Sequence, residues 1–574
     1  MCGIAGFCDF NKNFLEDRER QEQIAFKMGQ VLSHRGPDEN DTYLSEHAAF
    51  AHRRLSVIDI ERGRQPMKKT VGGYEFAIVY NGEIYNADKL REKLEQRGYH
   101  FFSKSDTEVV LAAYMSYGKR VVDMLEGIYS FAIWDSFDRS VFLCRDRFGV
   151  KPLFYANVGE TFLFASEIKA LFEYPGVKAR VNRFGLCEIF GLGPARSPGC
   201  GVYEGIHEFP PGYMGYVDYS GVHIEQYYHL QAKEHRDNYE ETVEHTRELL
   251  FSAIKRQLVS DVPLCTLLSG GLDSSLVSSV AAGELKKQGK KLSTYSFDFT
   301  DNQENFVASG FQPERDAPYV DLCVKYLDCD HTVLECNHEE LFACLEEAVY
   351  ARDLPGMADV DASMLYFARI IKKKHTVCLS GECADEVFGG YPWFRDREAL
   401  LKPVFPWSKN LAVRKSVLSE EMIAKLPLEE YVRCQYKKTM SRVPVLERDG
   451  IDKKRKREMN YLNLAWFMTT LLDRKDRMTM ASGLEVRVPF ADHTLIEYLY
   501  NVPWEYKFHR EQVKGLLKSV AEKKLPQEVI MRKKCPYPKT YDPKYEMLLK
   551  KELQRIVFEE KGPVADFLNV ENMK

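Results

Sequence analysis

The chain has 574 residues, more than one typical domain core holds, which indicates at least two domains. Hydrophobic residues make up 45% and charged residues 29%, and the net charge of -5 gives no support to nucleic-acid binding. No apolar run reaches the roughly 18 residues of a membrane span. The N-terminus also lacks a secretory signal pattern, so we expect a cytoplasmic protein without membrane contact.

The first ~210 residues predict short strands separated by turns, because β-branched and aromatic residues dominate their apolar segments. These segments are CGIAGFCDF, YEFAIVYNGEIYN, YSFAIWD, SVFLCRD and ETFLFAS. Predicted helices at Arg18–Leu32 and Asp106–Tyr117 interrupt them. Many strands with few helices favour an α+β unit in which helices cover sheets in layers.

A passage rich in glycine and proline at 191–222 ends this unit. From Tyr239 onward, long amphipathic helices alternate with compact apolar strands such as VPLCTLLS and HTVCLSG. This alternation predicts an α/β unit with a parallel sheet covered by many helices. We therefore predict two domains, at residues 2–210 and 235–574.

Cys2 directly follows the initiator methionine in MCGIAGF. In one interpretation it is simply a small apolar residue at the start of a strand. In the other, removal of Met1 leaves a thiol and a free α-amine on the same residue. An α-amine with a pKa near 7.7–8 can take the thiol proton, directly or through a water, and so generate a thiolate nucleophile.

Four further residues could complete such a site. The amide of Asn81 and the backbone N–H of Gly82, in a predicted tight turn after a strand, could donate to a tetrahedral oxyanion. Arg54 and Asp106 could bind the carboxylate and the ammonium of an amino-acid substrate. Taken singly, these residue types are common on surfaces and in turns.

Taken together, the motifs MCGIAGF, HRGPD, RRLSVID, YNGEIYN, SDTEV and RDRFGVKPLFY resemble the glutaminase domain of the class II, N-terminal-nucleophile (Ntn) amidotransferases. The resemblance covers residues 2 to about 170 and implies an αββα Ntn-hydrolase sandwich. It implies glutamine hydrolysis through a Cys2 thioester, with Asn81 and Gly82 as the oxyanion hole. It also implies that Arg54, Glu83 and Asp106 hold the glutamine.

The segment VPLCTLLSGGLDSS at 262–275 predicts a strand, a glycine turn and a helix beginning near Ser274. Such a turn presents backbone N–H groups to an anion, and no G-K-[ST] follows as in a Walker A loop. S-G-G-x-D-S resembles the pyrophosphate loop of ATP pyrophosphatases. The residues assigned to ATP are Leu268, Ser269, Gly270, Gly271, Asp273, Ser274, Phe299, Ser380 and Gly381. For Phe299, ordinary strand placement explains the sequence equally well.

The segment HTVCLSGECADEVFGGYPWF at 375–394 repeats the strand-and-turn plan and adds Glu382 and Asp385. Carboxylates beside a phosphate site repel it unless a cation intervenes, so we predict that Asp273 and Asp385 hold Mg²⁺. The alternative is that these acids only complement the dipole of a helix N-terminus.

Both segments, with DRKDRMTMASGLEVRVPFAD at 473–492, resemble the synthetase domain of glutamine-hydrolysing asparagine synthetases, an adenine-nucleotide α-hydrolase-like fold. The resemblance implies that ATP activates the aspartate β-carboxylate as an acyl adenylate, with loss of pyrophosphate. Ammonia channelled from the first site then displaces AMP. Lys514 and Glu382 are the implied catalytic residues of this half. The implied partners are glutamine, aspartate and ATP, and a homodimer is expected on the same ground.

Two features depart from that family. DLPGMADVDASMLYF at 353–367 carries Asp359 and Asp361 where the family often has threonines and an arginine near the acceptor, and carboxylates there repel aspartate unless they face away or bind a cation or ammonium. The chain also ends at FLNVENMK, earlier than the resemblance predicts. The alternative is therefore an amidotransferase of the same architecture that acts on another carboxylate, in a cell-wall precursor, glycan or natural product.

Two other classes of enzyme fit the sequence less well. The intact Cys2 motif set argues against lactam-forming cyclases, and the acidic net charge argues against tRNA-modifying pyrophosphatases.

Overall fold

The N-terminal half of the chain forms two antiparallel sheets in the computed structural model, which describes residues 1–310, 312–408, 411–560 and 562–573. The strands are β1 (Cys2–Cys8), β2 (Glu39–Leu44), β3 (Ala48–Arg54), β4 (Met67–Val71), β5 (Tyr74–Ile84), β6 (Gly127–Asp135), β7 (Ser140–Arg145), β8 (Phe154–Val158), β9 (Thr161–Ala165), β10 (Ile206–Glu208), β11 (Tyr213–Asp218) and β12 (Gly221–Gln226). Over the described residues, the first sheet has the order β10-β8-β9-β1-β3-β2, and the second has the order β12-β11-β7-β6-β5-β4.

Helices cover the outer face of each sheet. They are α1 (Arg18–Gln30), α2 (Ala87–Glu95), α3 (Asp106–Tyr117), α4 (Val121–Met124) and α5 (Ile168–Phe172). A further helix, α6 (Arg183–Cys187), packs with residues of the C-terminal half instead. Side chains of β1 alternate between two cores: Phe7 packs in the same cluster as Met28 of α1, whereas Ile4 packs with Val79 of the second sheet. Because α2 and α3 pack on the far side of the second sheet, the layers are helix, sheet, sheet and helix. The predicted αββα sandwich is confirmed.

Two details of the N-terminal half differ from the sequence predictions. Asn81 and Gly82 lie inside β5 rather than in a turn, because β5 stays paired with β6 as far as Ile84, with Gly82 opposite Tyr129. The second sheet also continues beyond residue 210, since β11 pairs with β7 and β12 pairs with β11. The predicted helix at 106–117 agrees with α3, and α1 ends at Gln30.

The C-terminal half contains a parallel sheet. Its strands are β13 (Leu264–Leu267), β14 (Ser293–Phe299), β15 (Asp330–Cys336), β16 (Val377–Leu379) and β17 (Glu485–Arg487), in the order β15-β14-β13-β16-β17 over the described residues. The helices are α7 (Tyr239–Arg256), α8 (Leu272–Lys287), α9 (Asn302–Asn305), α10 (Ala317–Leu327), α11 (His338–Arg352), α12 (Asp359–Lys372), α13 (Ala384–Phe388), α14 (Arg397–Leu401), α15 (Leu411–Ser416), α16 (Glu420–Lys425), α17 (Leu428–Met440), α18 (Ile451–Leu462), α19 (Thr469–Met480), α20 (His493–Asn501), α21 (Trp504–Lys507), α22 (Gly515–Ala521), α23 (Gln527–Met531) and α24 (Pro543–Gln554). The predicted parallel sheet with many helices is confirmed.

Both faces of the parallel sheet are buried, as connections through helices require. In β16, Val377 and Leu379 pack in one core with Leu250 of α7, whereas Cys378 packs in another with Leu365 of α12. The neighbouring strands β13 and β16 both lead into turns at their carboxyl ends, the edge at which parallel α/β sheets bind ligands. Among the described residues, no helix has the length and apolar character needed to cross a membrane.

Candidate active sites

Cys2 begins β1 and is paired with Arg54 of β3. The residue is 6% exposed, and this burial raises the pKa of its thiol above the usual value. The positive N-terminus, the backbone N–H of Leu55 and the charge of Arg54 oppose that rise. Since the net effect favours the neutral thiol, a base must remove its proton before it can act as a nucleophile.

Asn81 lies against the backbone of Cys2. Its Oδ1 accepts a hydrogen bond of 2.9 Å from the Cys2 N–H, and its Nδ2 is buried without a partner. A buried donor without an acceptor costs free energy unless a ligand supplies one. Gly82 follows, and a Cβ there would lie 2.3 Å from the Ile128 carbonyl oxygen, so only glycine permits this strand spacing. The predicted oxyanion donor Asn81 thus lies beside Cys2, Gly82 follows it in β5, and the catalytic role of both remains a prediction.

The guanidinium of Arg54 is already engaged by protein groups. It pairs with Glu39 at 3.0 Å and donates to the carbonyl oxygens of Ile58, Asp59 and Ile60. These contacts fix the loop at residues 58–60 against the side chain of Arg54. A substrate carboxylate bound by Arg54 would share the guanidinium with these groups.

Asp106 is the first residue of α3, whose N-cap is Ser105. Its Oδ2 accepts hydrogen bonds from the Tyr80 hydroxyl at 2.7 Å and from the Ile84 N–H at 2.9 Å. Burial raises the pKa of Asp106 despite these bonds. Glu83 is also buried, and its carboxylate lies 3.3 Å from Arg487 of β17, in the other half of the chain.

A cluster of charges that the sequence analysis missed joins the two halves at this point. The ammonium of Met1 lies 2.6 Å from Glu485, and Arg487 donates to the same carboxylate at 2.7 Å. Arg35, from the HRGPD motif, donates to the Cys2 carbonyl at 3.1 Å and pairs with Asp476 of α19 at 2.8 Å. The motifs HRGPD and GLEVRVPF contain these charged residues, but no feature of the sequence indicates that the two motifs lie together in the fold.

The second site begins at the turn after β13. Gly270 has φ +66°, and a Cβ there would lie 2.7 Å from the Tyr319 backbone, so glycine is required. Gly381, in the turn after β16, approaches so closely that a Cβ would lie 2.7 Å from the Ser274 nitrogen. Helix α8 begins at Leu272, two residues before the predicted start, with Gly271 as its N-cap. The two predicted phosphate turns therefore meet.

Lys514 connects the two predicted metal ligands. Its Nζ lies 2.6 Å from Asp273 and 2.6 Å from Asp385, and its backbone holds a φ of 56°, a strained value for lysine. Lys534, which the sequence analysis missed, also pairs with Asp385. Burial would raise the pKa of Asp385, but the two lysines lower it to about 2. Burial raises the pKa of Asp273, and the charge of Lys514 opposes that rise.

The residues present can accommodate a bound Mg²⁺. Asp273 Oδ1 is buried without a hydrogen-bond partner, and carboxylate oxygens are the ligands that Mg²⁺ prefers. Among the described residues, no group of three or more His, Cys, Asp or Glu side chains could hold a metal alone. Mg²⁺ at this site would therefore need oxygens from a bound phosphate as well, as is usual for nucleotide sites.

Glu382 follows β16 and pairs with two cations of α19. Its oxygens lie 2.7 Å from Arg474 and 2.8 Å from Lys475, which lower its pKa although burial acts in the opposite direction. The Glu382 N–H donates to the hydroxyl of Ser380 at 3.3 Å. Phe299 is buried, and its ring packs 6.1 Å from that of Phe367, so its contact with adenine remains a prediction.

Comparison with known proteins identifies relatives of both halves. Residues 245–574 match the family described as asparagine synthase, and residues 1–228 match the glutamine amidotransferase domain. Glutamine-hydrolysing asparagine synthetase 3 of Bacillus subtilis is 48% identical over 95% of this chain and 88% of its own length. Glutamine-hydrolysing asparagine synthetase 1 of the same organism is 31% identical over 94% and 87%. Asparagine synthetase B of Escherichia coli is 30% identical over 79% and 74%.

Proposed function

This chain belongs to the asparagine synthase family, and from that premise we propose that it converts aspartate, glutamine, ATP and water to asparagine, glutamate, AMP and pyrophosphate. The enzyme is an ATP-dependent carbon–nitrogen ligase with glutamine as its nitrogen donor. The residue roles given below are part of the proposal.

In the first half-reaction, the Cys2 thiolate attacks the glutamine side-chain amide. After Met1 is removed, the α-amine of Cys2 takes the thiol proton and passes it to the departing ammonia. The unpartnered Nδ2 of Asn81 and the N–H of Gly82 stabilise the tetrahedral oxyanion. Water then hydrolyses the Cys2 thioester, which releases glutamate and restores the thiol. Arg54, Glu83 and Asp106 hold the substrate.

In the second half-reaction, the aspartate β-carboxylate attacks the α-phosphorus of ATP and expels pyrophosphate. The turn of Ser269, Gly270 and Gly271 offers N–H groups to the phosphates at the start of α8. Lys514, which lies between Asp273 and Asp385, neutralises the negative charge that develops on the phosphates. Mg²⁺ held by those carboxylates would supply a Lewis acid for the leaving pyrophosphate. Ammonia then attacks the acyl adenylate and displaces AMP.

One observation carries the coupling of the two half-reactions. The Cys2 carbonyl accepts from Arg35, which also pairs with Asp476 of α19 in the synthetase half. The same helix carries Arg474 and Lys475, the two cations that pair with Glu382. Helix α19 therefore contacts both candidate sites, and we propose that ammonia released at Cys2 passes between them inside the protein. Enclosure prevents the loss of ammonia to protonation in water.

The cytoplasmic location and the homodimer remain proposals that rest on the sequence pattern and on the family. The same holds for the division into domains at 2–210 and 235–574, although the second sheet reaches Gln226.

The decisive experiment is an assay of purified, Met1-processed protein with ATP, Mg²⁺ and glutamine, with and without aspartate. We expect aspartate-dependent release of pyrophosphate and formation of asparagine in a 1:1 ratio, measured by a coupled phosphate assay and mass spectrometry. Absence of aspartate-dependent pyrophosphate with intact glutamine hydrolysis would identify an amidotransferase that uses a different carboxylate.

A further inference from the structure

Two buried polar atoms beside the turn of Glu382 lack hydrogen-bond partners. They are Oδ1 of Asp361, at the start of α12, and Nε of Arg474, on α19. Asp361 is 2% exposed and Arg474 is 5% exposed. A carboxylate oxygen and a guanidinium N–H that are both desolvated and unpaired are costly, and a ligand that offers an ammonium and a carboxylate would satisfy both.

The other oxygen of Asp361 is fixed by the protein. Oδ2 accepts from Arg352 at 3.1 Å and from the Met357 N–H at 3.0 Å. The loop that carries Met357 packs tightly around this oxygen, since a Cβ at Gly356 would lie 1.9 Å from it. Asp361 is therefore oriented with one oxygen free, and Arg352 compensates its charge, so the carboxylate need not repel an anionic acceptor.

The guanidinium of Arg474 has only one strong partner. Nη2 donates to Glu382 at 2.7 Å, and Nη1 contacts the thioether sulfur of Met357 at 3.5 Å, which is a weak acceptor. Lys475 holds the second oxygen of Glu382, so Glu382 does not depend on Arg474 alone. Arg474 thus retains the capacity to bind a carboxylate.

The charges around these atoms leave one cation in excess. Arg196 and Arg352 pair with Asp361 and Asp473, and these four charges balance. Arg474 and Lys475 share the single carboxylate of Glu382, which leaves one cation in excess. An α-amino acid with a carboxylate side chain has a net charge of minus one at neutral pH. Such a ligand balances this cluster, whereas a simple dicarboxylate over-compensates it.

We propose that Asp361 and Arg474 are the acceptor-recognition pair of the synthetase site, with Asp361 binding the α-ammonium and Arg474 the α-carboxylate of the amino acid to be amidated. This inference rests on the proposed function and deepens it. The side-chain carboxylate of the acceptor is then left to face Glu382 and the nucleotide turn, where it is activated. The carboxylate of Asp361 becomes the group that selects an amino acid.

The test measures acceptor-dependent pyrophosphate release with ammonium as the nitrogen source. The acceptors are L-aspartate, succinate, which lacks the ammonium, and 3-aminopropanoate, which lacks the α-carboxylate. We expect wild type to prefer aspartate to succinate, and D361N to reduce that preference in kcat/KM by roughly 10- to 100-fold, with KM for ATP unchanged. R474Q should reduce the preference for aspartate over 3-aminopropanoate by a similar factor.

D359N is the matched control, since Asp359 lies two residues earlier, is only partly buried and lies outside the ion-pair cluster. It should retain both preferences. If D361N releases aspartate-dependent pyrophosphate with an unchanged preference over succinate, the proposal is overturned. If D361N also loses glutamine hydrolysis, the variant has misfolded and R474Q becomes the test. In that case, an R474Q enzyme that still prefers aspartate to 3-aminopropanoate as strongly as wild type does overturns the proposal. Failure of wild type to use aspartate would instead overturn the proposed function.

Discussion

The two candidate sites are built in different ways. At Cys2, the groups are held by an antiparallel sheet: Asn81 accepts from the Cys2 backbone, and its free Nδ2 is fixed as a consequence. At the synthetase site, side chains from segments 241 residues apart, such as Asp273 and Lys514, hold each other through ion pairs. The first site is therefore preorganised for one transition state, whereas the second must exchange internal ion pairs for substrate contacts.

The largest effect is expected from removal of the nucleophile. C2A should lower glutamine-dependent asparagine synthesis by on the order of 10⁴- to 10⁶-fold, because no thioester can form. Ammonium-dependent synthesis should stay within about twofold of wild type, since the second site keeps its own ion pairs. Steady-state assays with each nitrogen source measure the ratio of glutamine-dependent to ammonium-dependent synthesis in C2A and in wild type.

C8A is the control for this change, because Cys8 is a buried thiol at the other end of the same strand. It should preserve the use of glutamine. Equal loss with glutamine and with ammonium in C2A would show that the two sites are not separable, which contradicts the comparison above.

The converse separation is expected at Lys514. K514M leaves the carboxylates of Asp273 and Asp385 without the cation that bridges them, so synthesis from either nitrogen source should fall by roughly 10³-fold. Glutamine hydrolysis should survive. K518M, one turn later on α22, is the control and should keep synthesis. Equal losses in K514M and K518M would assign the effect to the helix instead of the ion pairs.

A smaller effect is expected from the oxyanion donor. N81A removes the free Nδ2 and should lower kcat for glutamine hydrolysis by about 10²- to 10³-fold, with a smaller change in KM. N86A is the matched control, because Asn86 uses its amide to bond Met124 and Glu126. N86A should lose stability but keep kcat. If N81A raises KM and leaves kcat unchanged, the Asn81 amide contributes to binding of glutamine and not to stabilisation of the oxyanion. That result would contradict a site preorganised for the transition state.

The sequence could predict local structure and the first site, but it could not predict which charges meet. Helix α3 followed from periodicity, and the Cys2, Asn81 and Asp106 set followed from the resemblance of several motifs to a known family. The pairing of Met1 with Glu485 spans 484 residues and depends on how the two halves dock. Asn81 was misplaced in a turn because glycine at position 82 indicates a turn, whereas here it permits close strand pairing.

The smallest expected effect concerns a cation that, unlike Lys514, has no carboxylate partner among the described residues. Lys507 is fully buried, and its Nζ donates to the Val387 carbonyl at 3.0 Å. Burial lowers its pKa to about 7, below the ~10.4 of an unfolded chain. Between about pH 7 and 10 the unfolded state then binds more protons, so stability rises with pH in that window and is lowest, and flat, below it.

K507M should remove this dependence. In wild type, the free energy of unfolding should increase by up to about 2–3 kcal/mol between pH 7 and pH 9 from this group, and in K507M that increment should disappear. Urea unfolding of the synthetase half at several pH values measures it, with K290M, at an exposed lysine, as the control. If K507M and wild type show parallel pH profiles, a counter-charge keeps Lys507 protonated in the folded state, as carboxylates do for Lys514.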